Sequence, residues 1–150
     1  DKKHSFTFGG EHKRFTAGTE RVVVNFRGVR ILLEVCYDLR FPVWSRNLGD
    51  YDMILYVASW PTPRVDAWSA LLRARAIENQ CYVAGVNRMG TDPACEYSGG
   101  SAIIDPYGKT IAECPWSRES AVSAEIDMEA LQAFRKKFPV LDDADPFTLI

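Results

Sequence analysis

The sequence predicts an α/β fold (α+β in some classification schemes) with a mixed β-sheet. Apolar segments of strand length alternate with amphipathic segments between residues 29 and 87, as in parallel strands joined by crossover helices. After residue 87 the apolar segments are shorter and separated by turn residues, which is typical of antiparallel pairing. With 150 residues, of which 47% are hydrophobic and 25% charged, the chain suits a single folding unit.

The first elements follow from local signals. Residues 1–18 are polar, contain glycines and show no sustained period, so we expect a loop. Residues 21–26 and 29–36 are β-rich, and the Arg27-Gly28 dipeptide between them predicts a hairpin. Residues 42–48 are expected to form a short helix that ends at Gly49.

The middle of the chain contains two fully apolar strands with a helix between them. Residues 53–58 have the composition of a strand covered on both faces, and the prolines within 59–63 end it. Asp66 is expected to cap a helix over 67–79, and residues 82–87 form the next buried strand.

Beyond residue 87 we expect antiparallel strands and a final helix. Three short β segments occur at 101–104, 110–113 and 121–126, and an Asp-Pro-Tyr-Gly turn separates the first two. Asp127 is predicted to cap a helix over 128–138, which a proline then terminates.

Composition excludes several classes of function. A net charge of −2 and the lack of a basic stripe argue against nucleic-acid binding, and no apolar segment approaches the roughly 18 residues that span a bilayer. The four cysteines form no C-x-x-C pair and lack a histidine pair that would complete a zinc site. We therefore expect a soluble, cytoplasmic protein with reduced thiols, no metal and no cofactor.

Cys36 is the candidate nucleophile. It ends an apolar strand, and Asp38 and Pro42 just after it predict that a helix begins there. The carboxyl ends of strands in α/β sheets carry ligand sites, and free backbone N–H groups at a helix start stabilise a thiolate. The alternative is that Cys36 is simply a small buried hydrophobe.

Other polar residues allow two interpretations. Arg75 and Glu78 continue the apolar stripe of the central helix, so we expect an inward-facing ion pair that fixes geometry and does not react. Trp60 follows a buried strand and is either a pocket wall or a core residue. Glu34 is expected on the same strand face as Cys36, about 7 Å away, with its role left open.

Five sequence blocks carry a resemblance to a known family. The segment Val-Cys-Tyr-Asp-Leu-Arg-Phe-Pro at 35–42 resembles the nucleophile segment of the nitrilase, or carbon-nitrogen hydrolase, superfamily. The blocks at 56–61, 73–80, 99–108 and 135–139 are similar to those that follow it in that superfamily. The resemblance implies the C-terminal part of a four-layer α-β-β-α sandwich with a mixed sheet.

The segments at 41–47 and 143–145 are most similar to bacterial omega-amidases. That resemblance implies release of ammonia from a 2-oxo dicarboxylic acid monoamide, such as 2-oxoglutaramate, through a cysteine thioester, without a cofactor. It also leads us to expect a homodimer or a higher homo-oligomer.

The resemblance assigns roles residue by residue. Lys2, in Lys-Lys-His-Ser-Phe, takes the place of the catalytic lysine, and Glu11 resembles an auxiliary glutamate of the amidases. The ammonium of Lys2 and the backbone N–H of Tyr37 would hold the oxyanion. From the residues alone, the charged groups of the first dozen positions would be ordinary solvated surface.

In this family the general-base glutamate comes from a segment ahead of these blocks. The resemblance therefore implies that residues 1–150 are the C-terminal portion of one domain, with roughly another hundred residues before them. A substrate carboxylate would need a cation, and Arg40, Arg64 and Arg88 follow strand ends on the expected pocket side.

Three alternatives remain open at this level. Another activity of the superfamily is possible, such as a nitrilase, an N-carbamoyl hydrolase or an acyltransferase. A thiol redox protein would also use Cys36, although no second cysteine lies near it in sequence. Finally, the 150 residues are expected to be inactive by themselves without the missing glutamate.

Overall fold

The computed structural model describes residues 1–148 of the chain. It contains eight strands and two α-helices within that range. The strands are β1 (Val22–Phe26), β2 (Val29–Val35), β3 (Met53–Ala58), β4 (Tyr82–Asn87), β5 (Met89–Thr91), β6 (Glu96–Ser98), β7 (Ala102–Ile104) and β8 (Thr110–Glu113), and the helices are α1 (Val65–Glu78) and α2 (Met128–Lys137).

Six strands form one mixed sheet in the order β1-β2-β3-β4-β7-β8. The neighbours β2, β3 and β4 are parallel, whereas β1, β7 and β8 pair antiparallel with their neighbours. The mixed α/β architecture is therefore confirmed, including the switch to antiparallel pairing after residue 87. Strands β5 and β6 form a separate small hairpin, which the sequence analysis did not predict.

The β1–β2 hairpin is confirmed with its predicted two-residue turn. Arg27 and Gly28 both have positive φ, at 52° and 85°, as the primed hairpin turns require. The side-chain oxygen of Asn25 accepts a hydrogen bond from the N–H of Gly28 at 3.1 Å. The turn thereby fixes the register of β2, the strand that leads to Cys36.

The predicted helix over 42–48 is absent. A 3₁₀ turn, Cys36–Arg40, directly follows β2, and residues 42–45 form turns. Asn47 and Asp50 explain why no helix forms, because their side chains accept hydrogen bonds from the backbone N–H groups of Gly49 and Leu48. Such local bonds compete with helical hydrogen bonding.

Residues 121–126, predicted as a strand, form none in the structure. No ladder pairs them with another segment in the described part of the chain, and side chains such as Val122 are exposed. A strand needs a neighbouring strand to accept and donate its backbone hydrogen bonds. Residues 121–126 have no such neighbour in the described part of the chain, so their β-rich composition does not produce a strand.

Both helices form, with one correction to their ends. α1 begins at Val65 and ends at Glu78, and Asp66 lies within its first turn without capping it. A short 3₁₀ turn, Thr62–Arg64, runs directly into the helix. In α2 the prediction is confirmed, since the Asp127 carboxylate accepts a hydrogen bond from the N–H of Ala130 at 2.8 Å.

The two faces of the sheet have different surroundings. One face packs on α1 and forms the core, which includes Leu32, Ile54, Tyr56, Val83 and, from the helix, Trp68, Leu72 and Ala76. The opposite face is also apolar but open. It carries, among others, Val24, Leu33, Leu55, Val57 and Val86, of which Val57 is 47% and Val86 50% exposed. We call this surface the open face.

The parallel strands bring their carboxyl ends to one edge of the sheet. Cys36 follows β2, Ser59 and Trp60 follow β3, and Arg88 follows β4. α2 lies near the opposite edge, where Arg135 bonds Asp52 just before β3. Within residues 1–148 no helix is long and apolar enough to cross a bilayer.

Candidate active site

Cys36 lies at the end of β2 in an uncommon backbone conformation. Its φ is 50°, which is unfavourable for a residue with a Cβ and is often found at functional sites. The buried carboxylate of Asp38 accepts a hydrogen bond from the N–H of Val35 at 3.2 Å and so ties the strand end to the turn. The half-buried Cys36 Sγ lies 3.9 Å from the Ser59 carbonyl oxygen.

Two opposing effects act on the Cys36 thiol. Burial raises its pKa above the ordinary value because a thiolate loses hydration, and the nearby positive charge of Lys2 acts in the opposite direction. The negative charge of Glu11 adds to the increase. Burial has the largest effect on this pKa, and the Lys2 ammonium is one of the groups that oppose it.

Lys2 and Glu11 form an ion pair beside Cys36. The Lys2 Nζ donates to the Glu11 Oε2 at 2.5 Å, and the same oxygen accepts from the Phe6 N–H at 2.8 Å. Burial alone would raise the pKa of Glu11, but these hydrogen bonds outweigh it and lower that pKa. The loop that was expected to be ordinary surface thus places both residues in a partly buried position.

A cavity of about 1150 Å³ contains most of the candidate residues. Cys36, Lys2, Glu11 and Tyr37 all line it, together with Trp60, Arg40 and Arg64. The backbone N–H of Tyr37 lies in the first positions of the 3₁₀ turn, where N–H groups have no partner within the turn. A cysteine thiol, a lysine ammonium and a backbone N–H without a partner in its turn therefore belong to residues that line one cavity.

Trp60 belongs to both the core and the cavity wall. Its indole N–H donates to the Arg64 carbonyl at 2.6 Å, and its ring packs against Trp68 with 5.5 Å between centroids. The side-chain oxygen of Asn87 accepts a hydrogen bond from the backbone N–H of Trp60 at 2.7 Å, which links Trp60 to the end of β4. The two interpretations of this tryptophan are thus compatible.

The three arginines differ in position. Arg40 and Arg64 line the cavity, with their guanidinium groups over the rings of Trp60 at 5.0 Å and Phe6 at 5.6 Å. Arg88 is not among the lining residues. Its side chain lies over the ring of Tyr97 at 4.4 Å and 3.7 Å from the carboxylate of Asp92.

The ion pair between Arg75 and Glu78 on α1 lies next to the turn that begins at Cys36. Arg75 is buried, whereas the Glu78 side chain is a third exposed, and the two lie 2.8 Å apart. The second guanidinium nitrogen of Arg75 donates to the Leu39 carbonyl at 2.5 Å. Through this bond α1 holds the turn that begins at Cys36.

Glu34, which was expected on the same strand face as Cys36, does not line the cavity. Strand β2 ends at Val35, and the buried Glu34 faces the core, where its carboxylate accepts from the Ser45 hydroxyl at 2.9 Å. Ser45 also bonds the Tyr56 hydroxyl at 3.0 Å. Burial raises the pKa of Glu34 to about 7.

The hairpin of β5 and β6 supplies cavity residues that the sequence analysis missed. Ala94, Cys95 and Tyr97 line the cavity, although they lie about 60 residues beyond Cys36 in sequence. No motif marks them, and only the folding of this hairpin over the sheet edge could reveal them. All four cysteines are free thiols, and within residues 1–148 no cluster of metal-ligating side chains occurs.

Comparison with known proteins identifies the family to which this mixed sheet, with a cysteine at its carboxyl edge, belongs. The profile of the carbon-nitrogen hydrolase family matches residues 4–136. The chain belongs to the carbon-nitrogen hydrolase family, as the resemblance implied.

Two curated relatives of the chain are named as amidases. The chain is 55% identical to Omega-amidase YafV of Escherichia coli (strain K12), over 99% of this chain and 59% of that protein. It is 42% identical to the 2-oxoglutaramate amidase of Bacillus subtilis (strain 168), over 95% of this chain and 55% of that protein. The chain thus spans less than two thirds of these curated relatives.

A solved structure agrees with this assignment. XC1258 from Xanthomonas campestris, described as a CN-hydrolase superfamily protein with an arsenic adduct in its active site, matches with a TM-score of 0.96 and 47% identity. The match covers all of this chain and 60% of that one.

Proposed function

We propose that the chain is the C-terminal portion of one carbon-nitrogen hydrolase domain with omega-amidase activity. Its substrate would be the terminal amide of a 2-oxo dicarboxylic acid monoamide such as 2-oxoglutaramate, and its products the dicarboxylic acid and ammonia. The observation that carries the proposal is that Cys36, Lys2 and Glu11 line one cavity. The names of the relatives support the choice of substrate.

The first half of the reaction forms a thioester. The Cys36 thiolate attacks the amide carbon, and the C=O electron pair moves onto oxygen, where the Lys2 ammonium and the Tyr37 N–H stabilise the negative charge. The carbonyl then re-forms as the C–N bond breaks. In this proposal the general base first takes the proton of the Cys36 thiol and then gives it to the leaving nitrogen, which departs as ammonia.

The second half of the reaction hydrolyses the thioester and regenerates the free enzyme. A water molecule gives up a proton to a general base and attacks the thioester carbon, after which the C–S bond breaks and the carboxylate product leaves. The resemblance implies that the base is a glutamate ahead of residue 1. In this proposal Glu11 orients Lys2 and the water, because its carboxylate already holds the Lys2 ammonium.

The open face supports the assignment to part of a larger domain. A four-layer sandwich requires a second sheet against the first, and the open face offers the apolar surface for it. We therefore propose that the preceding portion of the domain covers this face. A homodimer or a higher oligomer of the complete protein in the cytoplasm remains part of the same proposal.

The activity test uses the complete protein that contains these residues. Ammonia release is measured with 2-oxoglutaramate, with simple aliphatic amides, with nitriles and with N-carbamoyl amino acids. Cys36→Ala and Lys2→Gln are expected to abolish turnover, and Cys114→Ala, at a thiol that does not line the cavity, is expected to keep it. Full turnover by Cys36→Ala would disprove the proposed nucleophile.

Arg40 and Arg64 are proposed to bind the substrate carboxylate, because their guanidinium groups are the cations of the cavity besides Lys2. Arg64→Gln is expected to raise KM for 2-oxoglutaramate by roughly tenfold or more while leaving KM for an uncharged amide unchanged. Arg40→Gln is measured in parallel. Arg88→Gln is the matched control, since that guanidinium lies outside the cavity lining.

A loss of activity that is equal for charged and uncharged amides in both Arg40→Gln and Arg64→Gln would remove these residues from carboxylate binding. An effect confined to Arg88→Gln would transfer the role to that residue.

A further inference from the structure

A short polar link joins the loop that carries Lys2 to the turn that carries Cys36. His4 donates its backbone N–H to the Asp38 Oδ1 at 2.8 Å, and its ring Nδ1 lies 2.9 Å from the same oxygen. A carboxylate only accepts hydrogen bonds, so Nδ1 carries the proton in this arrangement. Two donors of one residue therefore converge on one buried oxygen.

The other oxygen of the same carboxylate holds the end of the nucleophile strand. The Asp38 Oδ2 accepts from the Val35 N–H, directly before Cys36. Asp38 is 1% exposed, so these bonds are shielded from competing water. One carboxylate thus bridges the backbone next to the nucleophile and the loop with the cation.

Ring packing fixes the orientation of His4. The imidazole stacks on the Phe41 ring with 3.7 Å between centroids and 5° between planes. The Trp44 ring lies nearly perpendicular to the imidazole, with 6.2 Å between centroids and 86° between planes. His4 does not line the cavity, whereas Lys2 does, so His4 can influence the reaction only through its neighbours.

We propose that His4 is a positioning residue, whose ring Nδ1–H bond to Asp38 fixes the Lys2 ammonium relative to the Cys36 sulfur. The inference deepens the proposed function, and its turnover measurement rests on that function. Lys2 stands two residues from His4, and its other anchors are the Glu11 carboxylate and a backbone bond from Gly18 at 2.6 Å. Without the His4 ring bond, the loop would keep the His4 backbone N–H bond to Asp38 and the packing of Phe6 on Tyr37, but it would lose the side-chain hydrogen bond of His4 to the turn that carries Cys36.

Three variants of His4 separate the hydrogen bond from the bulk of the ring. The amide nitrogen of Asn occupies about the place of the imidazole Nδ1, whereas Gln carries its nitrogen one bond further out. In the complete protein, His4→Asn is expected to keep most of the turnover. His4→Gln and His4→Ala are expected to lose at least about tenfold in kcat, with KM changed less than about threefold.

A second measurement does not depend on amide turnover. The rate of Cys36 alkylation by iodoacetamide is followed against pH, with the modified peptide identified by mass spectrometry so that Cys95 does not interfere. His4→Gln is expected to shift this profile to higher pH, since the Lys2 charge no longer assists the thiolate. His12→Ala, at the exposed histidine of the same loop, is the matched control and is expected to leave the profile unchanged.

The decisive comparison repeats the His4→Gln change in a Lys2→Gln background. If His4 acts through Lys2, the second substitution causes no further shift of the alkylation profile. An additive shift, or equal behaviour of His4→Asn and His4→Gln, would overturn the inference. If the complete wild-type protein releases no ammonia from any amide and His4→Gln still shifts the alkylation profile through Lys2, the inference is supported and the proposed function is rejected.

Discussion

At the scale of single residues, Glu34 has a buried carboxyl group two residues before Cys36 that does not line the cavity. Its carboxylate has one partner, the Ser45 hydroxyl, and its second oxygen is buried without a partner in the described residues. Burial of this kind favours the protonated acid, and it raises the pKa of Glu34 to about 7. The ionisation of Glu34 is therefore coupled to the free energy of unfolding.

The pH dependence of stability follows from this shift. An exposed glutamate releases its proton near 4.5, whereas folded Glu34 keeps it to about pH 7. Between these values the unfolded state binds fewer protons, so the free energy of unfolding falls as pH rises, by on the order of 3 kcal/mol. The stabilising contribution is complete below 4.5 and is lost by about pH 7.

We predict that Glu34→Gln removes this decline, because a neutral amide does not ionise. The free energy of unfolding is measured with urea at pH 5 and at pH 8, and Glu125→Gln, at an exposed glutamate, is the control. A decline of unchanged size in the Glu34→Gln protein would contradict the assignment.

At the scale of elements, α1 and the 3₁₀ turn after Cys36 depend on one buried guanidinium. Arg75 is 3% exposed and satisfies the Leu39 carbonyl, while its partner Glu78 reaches solvent. A buried carbonyl that loses its donor costs more than an ion pair with one partner exposed. The positioning role expected for this pair therefore belongs mainly to the bond between Arg75 and the turn.

We predict that Arg75→Met destabilises the protein by about 1–3 kcal/mol, because the Leu39 carbonyl is left without a partner. Glu78→Gln, at the other end of the pair, is expected to cost less than about 1 kcal/mol. Thermal and urea unfolding of both variants give the comparison. Equal losses would mean that the ion pair, and not the carbonyl bond, holds the turn.

At the scale of the whole molecule, the sheet has one face covered by α1 and one open apolar face. An exposed apolar surface of this extent marks an interface. In the proposed function the interface is with the preceding portion of the same domain. Residues 1–150 by themselves would then be prone to self-association and would lack a complete active site.

A charge on the open face should have opposite effects in the two contexts. We predict that Val86→Lys, on the open face and outside the cavity lining, reduces the self-association of isolated residues 1–150 in size-exclusion chromatography but strongly destabilises the complete protein, because a buried charge is costly. Leu48→Lys, at an exposed apolar residue outside this face, is expected to change stability by less than about 0.5 kcal/mol. A neutral Val86→Lys in the complete protein would show that the face remains open to water.

Elements that depend on local sequence signals form as predicted, whereas two segments that depend on tertiary contacts do not. Strands β1 to β4, β7 and β8, the β1–β2 turn and the Asp127 cap depend on neighbours within a few residues, and these were predicted. The supposed helix over 42–48 and the supposed strand over 121–126 failed because side-chain bonds to the backbone and a missing partner edge outweighed local propensity. Tertiary surroundings decide such segments.

The sequence by itself determined the family, the parallel strands and Cys36 as the candidate nucleophile, since these are encoded in contiguous motifs and apolar periods. Only the tertiary structure decided which cations line the cavity, that Cys95 and Tyr97 line it too, and that Asp38 links His4 to the strand end. The physical reason is that a site assembles groups from distant segments. Their distances, burial and pKa values exist only once the chain has folded.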